Sequence, residues 1–283
     1  MVNAWLSFLV SFMMVFSINA LASDSALDAA LVAQYHLDEF DGATSFLDSS
    51  FSGNNGSCSG GTCPASGEMG VFGSAPRFDG TDDYIIVADN NNLDTTATLS
   101  IQIWFFPTTV DGQPDGLVSK RTTAGSQEAY SVFLYTSNRI YVDIDGSNNR
   151  FFASTTLSAN RWYHVVVTYD GSQTAANRVR VYVNGREDSG SPFNETSTSI
   201  PNRSSALHIG MLNAAYGNGF HGLMDEVSIY TSVLSRADIE NAFRAGAWRI
   251  HNEYLAHAFS FSDGLRHPSA HILSGLWRLF PRG

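Results

Sequence analysis

The sequence predicts an all-β protein, an antiparallel two-sheet jelly-roll β-sandwich with one short C-terminal helix. Three observations lead there. Residues 31–247 carry short apolar runs at close spacing with turn residues between them, the pattern of a sandwich or barrel. "TLSIQIWFFP" (98–107) alternates with period two, placing Leu99, Ile101, Ile103 and Phe105 on one face and Ser100, Gln102, Trp104 and Phe106 on the other. Helical periodicity is confined to one stretch near residue 240.

The elements run in order. "LVAQYHL" (31–37) is the first strand, and "PRFDGTDDYIIVA" (76–88) holds another around Tyr84–Val87. The 98–107 strand carries aromatics on both faces and is expected to be central, covered on both sides. "AYSVFLYTSNRIYVDIDG" (129–146) reads as a hairpin with "TSN" at its tip. "RWYHVVVTYDG" (161–171) is a near-continuous β-branched and aromatic run, as in an interior strand. In "RVRVYVNGRE" (178–187) three valines alternate with longer side chains, and Asn184-Gly185 suits the two positive-φ positions of a type I′ turn. "ALHIG" (206–210) and "LMDEVSIY" (223–230) complete the strands. "SRADIENAFRAG" is the helix: Ser235 is its N-cap, Asp238 completes a near capping box, and Gly246 is placed to end it.

The 283 residues carry a formal net charge of −11, with 43% hydrophobic and 15% charged residues. That composition supports a sizeable core. Its acidity argues against nucleic acid, which requires a basic footprint. Residues 1–22 read as a signal peptide: an apolar run from Trp5 to Ile18, then small residues at Ala20 and Ala22 before the expected cleavage point. A retained membrane anchor is the competing reading, but the apolar run is short for a bilayer span. With the signal removed, no later stretch is apolar enough to span a membrane, so the chain is expected to be exported, periplasmic or extracellular. The only two cysteines, Cys58 and Cys63 in "CSGGTC", are expected to form a disulfide in such a compartment, with free thiols as the alternative. The domain is expected to occupy residues 23–247. Residues 248–283 lose the β alternation and read as a tail; within it His267 and His271 stand at helical ligand spacing, but Pro268 and the lack of a third ligand oppose zinc.

Taken in order, "YHLDE…FLDSSFSGNNGS", "PRFDGTDDYIIV", "LSIQIWFFP", "LVSK", "NRWYHVVVTYDG", "VRVYVNG", "LHIG" and "FHGLMDEVSIYTSVLSRADI" resemble the laminin G-like domains of the concanavalin A-like lectin/glucanase superfamily, over about residues 31–247. The resemblance implies the jelly-roll fold and a choice of functions, because this fold hosts lectins, adhesion modules and hydrolases alike. It also implies a structural calcium at the sandwich edge, for which Asp48, Asn54, Asp79 and Asp225 are the oxygen-rich candidates. The alternative for Asp225 is a clamp that accepts backbone N–H bonds from a neighbouring loop.

The catalytic readings are weaker. A retaining glycosidase needs two carboxyls about 5–5.5 Å apart. Regular alternation sends Asp225 to the side of Val227 and Ile229 and Glu226 to the opposite side, so this pair cannot flank one bond. Asp143 and Asp145, at i and i+2, are the best remaining hydrolase pair, and Tyr163 with His164 the best lyase pair. No nucleophile elbow, phosphate loop or dinucleotide fingerprint is present. The sequence therefore predicts an exported, non-catalytic binding module for carbohydrate or an extracellular protein. A glycan-degrading enzyme, glycoside hydrolase or polysaccharide lyase, is the alternative. Loops such as "NAAYGNGFHG" (213–222) are the candidate ligand contacts.

Overall fold

The computed structural model describes residues 27–122, 128–145, 150–213 and 217–260. The predicted signal segment 1–22 and the tail beyond residue 260, with His267 and His271, lie outside the described residues. In chain order the described strands are β1 (Leu31–Tyr35), β2 (Ser45–Phe46), β3 (Gly56–Ser57), β4 (Ala65–Met69), β5 (Ser74–Asp79), β6 (Ile85–Val87), β7 (Thr98–Pro107), β8 (Asp115–Arg121) and β9 (Glu128–Tyr135). They continue as β10 (Arg139–Ile144), β11 (Arg150–Phe152), β12 (Tyr163–Asp170), β13 (Val179–Val183), β14 (Arg186–Glu187), β15 (Leu207–Ile209), β16 (Met211–Asn213), β17 (Gly217–Gly219) and β18 (His221–Tyr230). One helix, α1 (Arg236–Ser260), comes after them.

Two eight-stranded antiparallel sheets form the sandwich. The first runs β14-β13-β12-β7-β18-β5-β4, with β1 also pairing β18; the second runs β11-β10-β9-β8-β15-β6-β3-β2. The main core lies between them and contains Leu99, Ile101, Ile103 and Phe105 from β7, Val165 and Val167 from β12, and Val132, Ile140 and Val142 from the second sheet. The other face of β7 is covered too: Trp104 and Phe106 join Val71, Trp162, Leu223, Phe243 and Ile250 in a second apolar layer under α1. The central, doubly covered position expected of β7 is thus the observed one. The "TSN" tip (Thr136–Asn138) and the Asn184-Gly185 turn, with φ of 51° and 75°, also fall where local sequence placed them. Cys58 and Cys63 are disulfide-bonded.

The helix differs from expectation. Its start is as predicted: Ser235 Oγ and N donate to Asp238 Oδ2 at 2.6 and 3.1 Å, and Asp238 N donates back to Ser235 Oγ at 3.2 Å. It does not stop at Gly246, nor at the expected 247/248 domain boundary, but continues to Ser260. The glycine is there for contact: a Cβ at residue 246 would lie 2.4 Å from the Trp104 ring and 2.8 Å from Val71. It lets the helix lie close on β7. Beyond it, Ile250 is buried in the same layer and Arg249 stacks over Phe72 at 5.4 Å. Gly246→Leu is therefore expected to destabilise the fold by about 1–3 kcal/mol through overpacking, despite leucine's better helix propensity. A urea midpoint that rises would overturn this account.

Candidate functional site

The four predicted calcium ligands fall in three places. Asp48 and Asn54 lie together, and Asp48 is saturated with donors: Gln34 N and Ser50 N reach Oδ1 at 2.9 Å, while Asn54 N and Ser50 Oγ reach Oδ2 at 2.7 and 2.9 Å. Asn54 in turn donates to Val32 O at 2.7 Å. This is a brace between β1 and the loop after β2. Asp79, at the end of β5, joins Asp82 and Asp83 in a group whose carboxylate oxygens come within 4.8 Å of one another. Of the four, it is the one that lies in such a group among the described residues.

Asp225 is a clamp. It is fully buried, and its Oδ2 accepts from Val71 N at 2.6 Å and Phe72 N at 2.9 Å. A Cβ on Gly70 would approach that oxygen to 2.6 Å, so the loop needs a glycine there. Burial pushes the Asp225 carboxyl up to about 8; the two N–H donors oppose this and the neighbouring Glu226 adds to it. The expected face of Asp225 is corrected. β18 carries one extra residue against β7, since Asp225 pairs with Trp104 and Ser228 with Gln102, and Glu226 takes φ of 51°. The bulge resets the alternation. Val227 and Ile229 enter the main core, whereas Asp225 goes with Leu223 to the outer layer beside Trp104. Glu226 meets His36 Nδ1 at 2.9 Å. Neither acid is arranged to flank a substrate bond.

The other catalytic pairs also separate. Tyr163 enters the main core and stacks on Phe105, while its strand neighbour His164 faces the opposite layer between Trp104 and Phe243. Asp145 has φ of 57° and accepts from Ser197 Oγ at 2.8 Å, whereas Asp143 receives a bidentate fork from Arg150, at 2.9 and 2.8 Å. The predicted loop contact at 213–222 contributes the hairpin β16–β17 and the start of β18; residues 214–216 are outside the described residues. The hairpin lies over β8 so closely that a Cβ on Gly116 would come within 1.8 Å of Leu212 N.

What the structure does assemble is the outer face of the second sheet at its β9-β10-β11 edge. Residues 132, 134, 140, 142 and 144 turn into the core. Their neighbours turn out. Phe133, Tyr135, Tyr141 and Phe152 form a run of rings: Phe133–Tyr141 centroids are 5.7 Å apart, Tyr135–Tyr141 5.4 Å and Tyr141–Phe152 5.4 Å. Register explains the run, because Tyr141 pairs with Phe133 on one side and Phe152 on the other. Arg150 lies over Phe133 at 5.0 Å and Tyr135 at 6.0 Å, and Arg139 lies over Phe152 at 5.7 Å.

Arg150 is held in place from behind. Asp143 forks it, Arg121 sits 3.6 Å from Asp143 and 2.8 Å from Glu128, and Ser131 Oγ donates to Glu128 at 2.6 Å. Burial first, and then the charge of Asp143, lift the Glu128 carboxyl to about 7 against the pull of Arg121. Arg121, Glu128 and Asp143 are all buried, so they act as a brace rather than as an exposed reacting pair. Beside the rings opens a cleft of about 310 Å³ lined by Arg139, Arg150, Phe151, Phe152, Ser154 and Phe193. Sequence reading missed this surface, although period-two alternation along 129–146 contained it.

Comparison with known proteins fits the fold. No curated protein sequence matches the chain. Among solved structures, the binding domain of Paraclostridial Mosquitocidal Protein 1 is similar at 19% identity and TM-score 0.60, covering 78% of this chain and 53% of that one. This chain therefore spans about half the length of that domain. Domain 4 of AbnA, a GH43 extracellular arabinanase from Geobacillus stearothermophilus solved in complex with arabinotriose, matches at 19% identity and TM-score 0.56, over 75% of this chain and 97% of the other. A botulinum neurotoxin type C structure, whose cell entry is described as dependent on two ganglioside molecules, matches at 13% identity and TM-score 0.56, over 78% and 52%. At these identities the likeness is one of fold. The sequence profile of a laminin G family, described as the concanavalin A-like lectin/glucanases superfamily, matches residues 79–240, more than half of the chain, and the protein belongs to that family.

Proposed function

We propose that the chain is an exported, non-catalytic carbohydrate-binding module and that the outer β9-β10-β11 edge is its glycan surface. The observation that carries this is the ring run Tyr135–Tyr141–Phe152, backed by the fully buried Phe133, with two arginines laid on it beside a cleft. Pyranose rings present C–H faces that pack on aromatic rings, and their hydroxyls need a few fixed polar groups for orientation. The surface offers both. Tyr141 is half-buried and Phe152 exposed, so each presents ring area to a ligand. The brace behind Arg150 limits its freedom before binding, which lowers the ordering cost. The sugar ligands named for the arabinanase domain and the neurotoxin make carbohydrate the first class to test, with an extracellular protein partner as the second reading.

The test is a glycan array with the purified chain, then titration of the best hit. Tyr141→Ala is expected to weaken binding about 10-fold or more, with a urea melt that stays cooperative and shows the variant folded under the titration conditions. Binding to extracellular proteins but to no glycan would replace this reading with an adhesion role. Release of sugar ends from a polysaccharide would overturn the non-catalytic part.

A further inference from the structure

We propose that the cleft beside the aromatic run takes a carboxylate-bearing sugar, with Arg139 as the group that forks its carboxylate; this rests on the binding-module reading above. Arg139 is an unbalanced cation. Lys120, Arg121 and Arg150 are matched by carboxylates at 2.6–3.0 Å. Arg139 has no hydrogen bond or ion pair among the described residues, and its Nε is buried without a partner. Its one charge-related contact is the stack over Phe152.

Arg121 Nε and Arg203 Nε are likewise buried without a partner, but those arginines lie 2.8 and 4.0 Å from carboxylates, whereas half-buried Arg139 faces the cleft with none among the described residues. The cleft itself points to the acceptor it would take. Its lining holds two arginines, one serine, glycine and phenylalanines; the bordering acid, Asp188, is buried and accepts from Ser154, Thr155 and Gly190 rather than from either arginine. Asp143 neutralises Arg150 from behind and leaves Arg139 as the free positive charge of the cleft. Stacking on Phe152 restrains the guanidinium plane, and a planar carboxylate is the acceptor that matches its paired N–H groups. At about 310 Å³ the cleft stands at the small end of ligand pockets, suited to one or two sugar rings. Phe152, shared between the cleft and the ring run, would let one glycan engage both.

The experiment uses oligogalacturonate, oligoglucuronate, oligomannuronate and a sialylated oligosaccharide, each paired with its methyl ester. Esterification removes the charge and keeps the ring. Titration of the purified chain is expected to show at least one acid form bound about 10-fold or more tightly than its ester, with the preference shrinking as salt is raised. Arg139→Met is expected to bring the acid-to-ester ratio close to one. Arg139→Lys is expected to restore only a minor part of it, since an ammonium cannot fork a carboxylate. Equal binding of acid and ester, or a preference that survives Arg139→Met, overturns the inference while leaving the glycan surface standing. Absence of binding to any acid, ester or array glycan overturns both. Loss of both forms in Tyr141→Ala but not in Arg139→Met keeps the two readings distinguishable.

Discussion

Replacing Lys120 with methionine is expected to lower the unfolding free energy by about 3–5 kcal/mol, among the largest effects of any single substitution in this chain. Lys120 is a fully buried residue of β8. Its Nζ lies 2.6 Å from Asp89 and 3.0 Å from Asp94, and it donates to the carbonyls of Arg203 and Ser205 at 2.6 and 2.9 Å. It therefore ties the segment leading into β15 to the loop before β7. The two acids respond differently to its removal. Asp89 is about a third exposed and can take up water, whereas the Asp94 side chain is only 3% exposed and would be left as an uncompensated buried charge. That difference makes the double substitution informative. Lys120→Met with Asp94→Asn is expected to recover more than half of the loss, because the stranded charge goes with the cation. Urea melts with unchanged slopes would measure both. A single variant within about 1 kcal/mol of the parent, or a double variant no better than the single, would show that the ammonium is not what holds this corner.

Lys120 also marks where the sequence stops being legible. Signals written within a few residues were read correctly: the period-two pattern of β7, the Asn184-Gly185 turn, the Ser235–Asp238 cap and the Cys58–Cys63 pair. Each depends on local geometry, which adjacent residues determine. What was missed depends on partners far along the chain. Lys120 belongs to "LVSK" and gives no hint that its charge meets residues 89, 94, 203 and 205. The bulge in β18 has no glycine or asparagine to announce it; Glu226 sits in the left-handed region while His36 and the pairing of Tyr35 with Val227 hold the strand. One residue of bulge moved Asp225 from the expected core face to the outer layer. Gly246 carried the right residue type for a helix stop and served a packing contact with Trp104 instead. The aromatic surface needed the register of three strands, β9, β10 and β11, before Phe133, Tyr135, Tyr141 and Phe152 could be seen as one run.

The second large effect is expected in acid. His164 is fully buried between Trp104, at 4.9 Å, and Phe243, at 6.1 Å, and neither ring nitrogen has a hydrogen-bond partner. Burial holds its pKa down at about 3, against an ordinary value of 6.5. Between those values the unfolded chain binds a proton that the folded one refuses, so this histidine makes stability rise with pH through that window and fall as pH drops below 6.5. The loss is about 2 kcal/mol at pH 5 and about 4 at pH 3.5. Carboxyls with raised values work in the opposite sense. Asp225, Glu128 and Asp115 are lifted to about 8, 7 and 7, so each favours the folded state at low pH and loses that contribution as pH rises through its folded value. The parent's pH curve is the sum of these trends. Subtracting a variant isolates the histidine. His164→Leu, close in volume and free of unpaired nitrogens, is expected to match the parent within about 1.5 kcal/mol at pH 7.5 and to overtake it by a further ~2 kcal/mol at pH 5. Chemical melts of both proteins at pH 7.5, 6, 5 and 4 give the difference curve directly. Parallel curves across that range would mean that the imidazole takes up its proton in the folded state, and that the layer under α1 opens to water more readily than its packing against Trp104 implies.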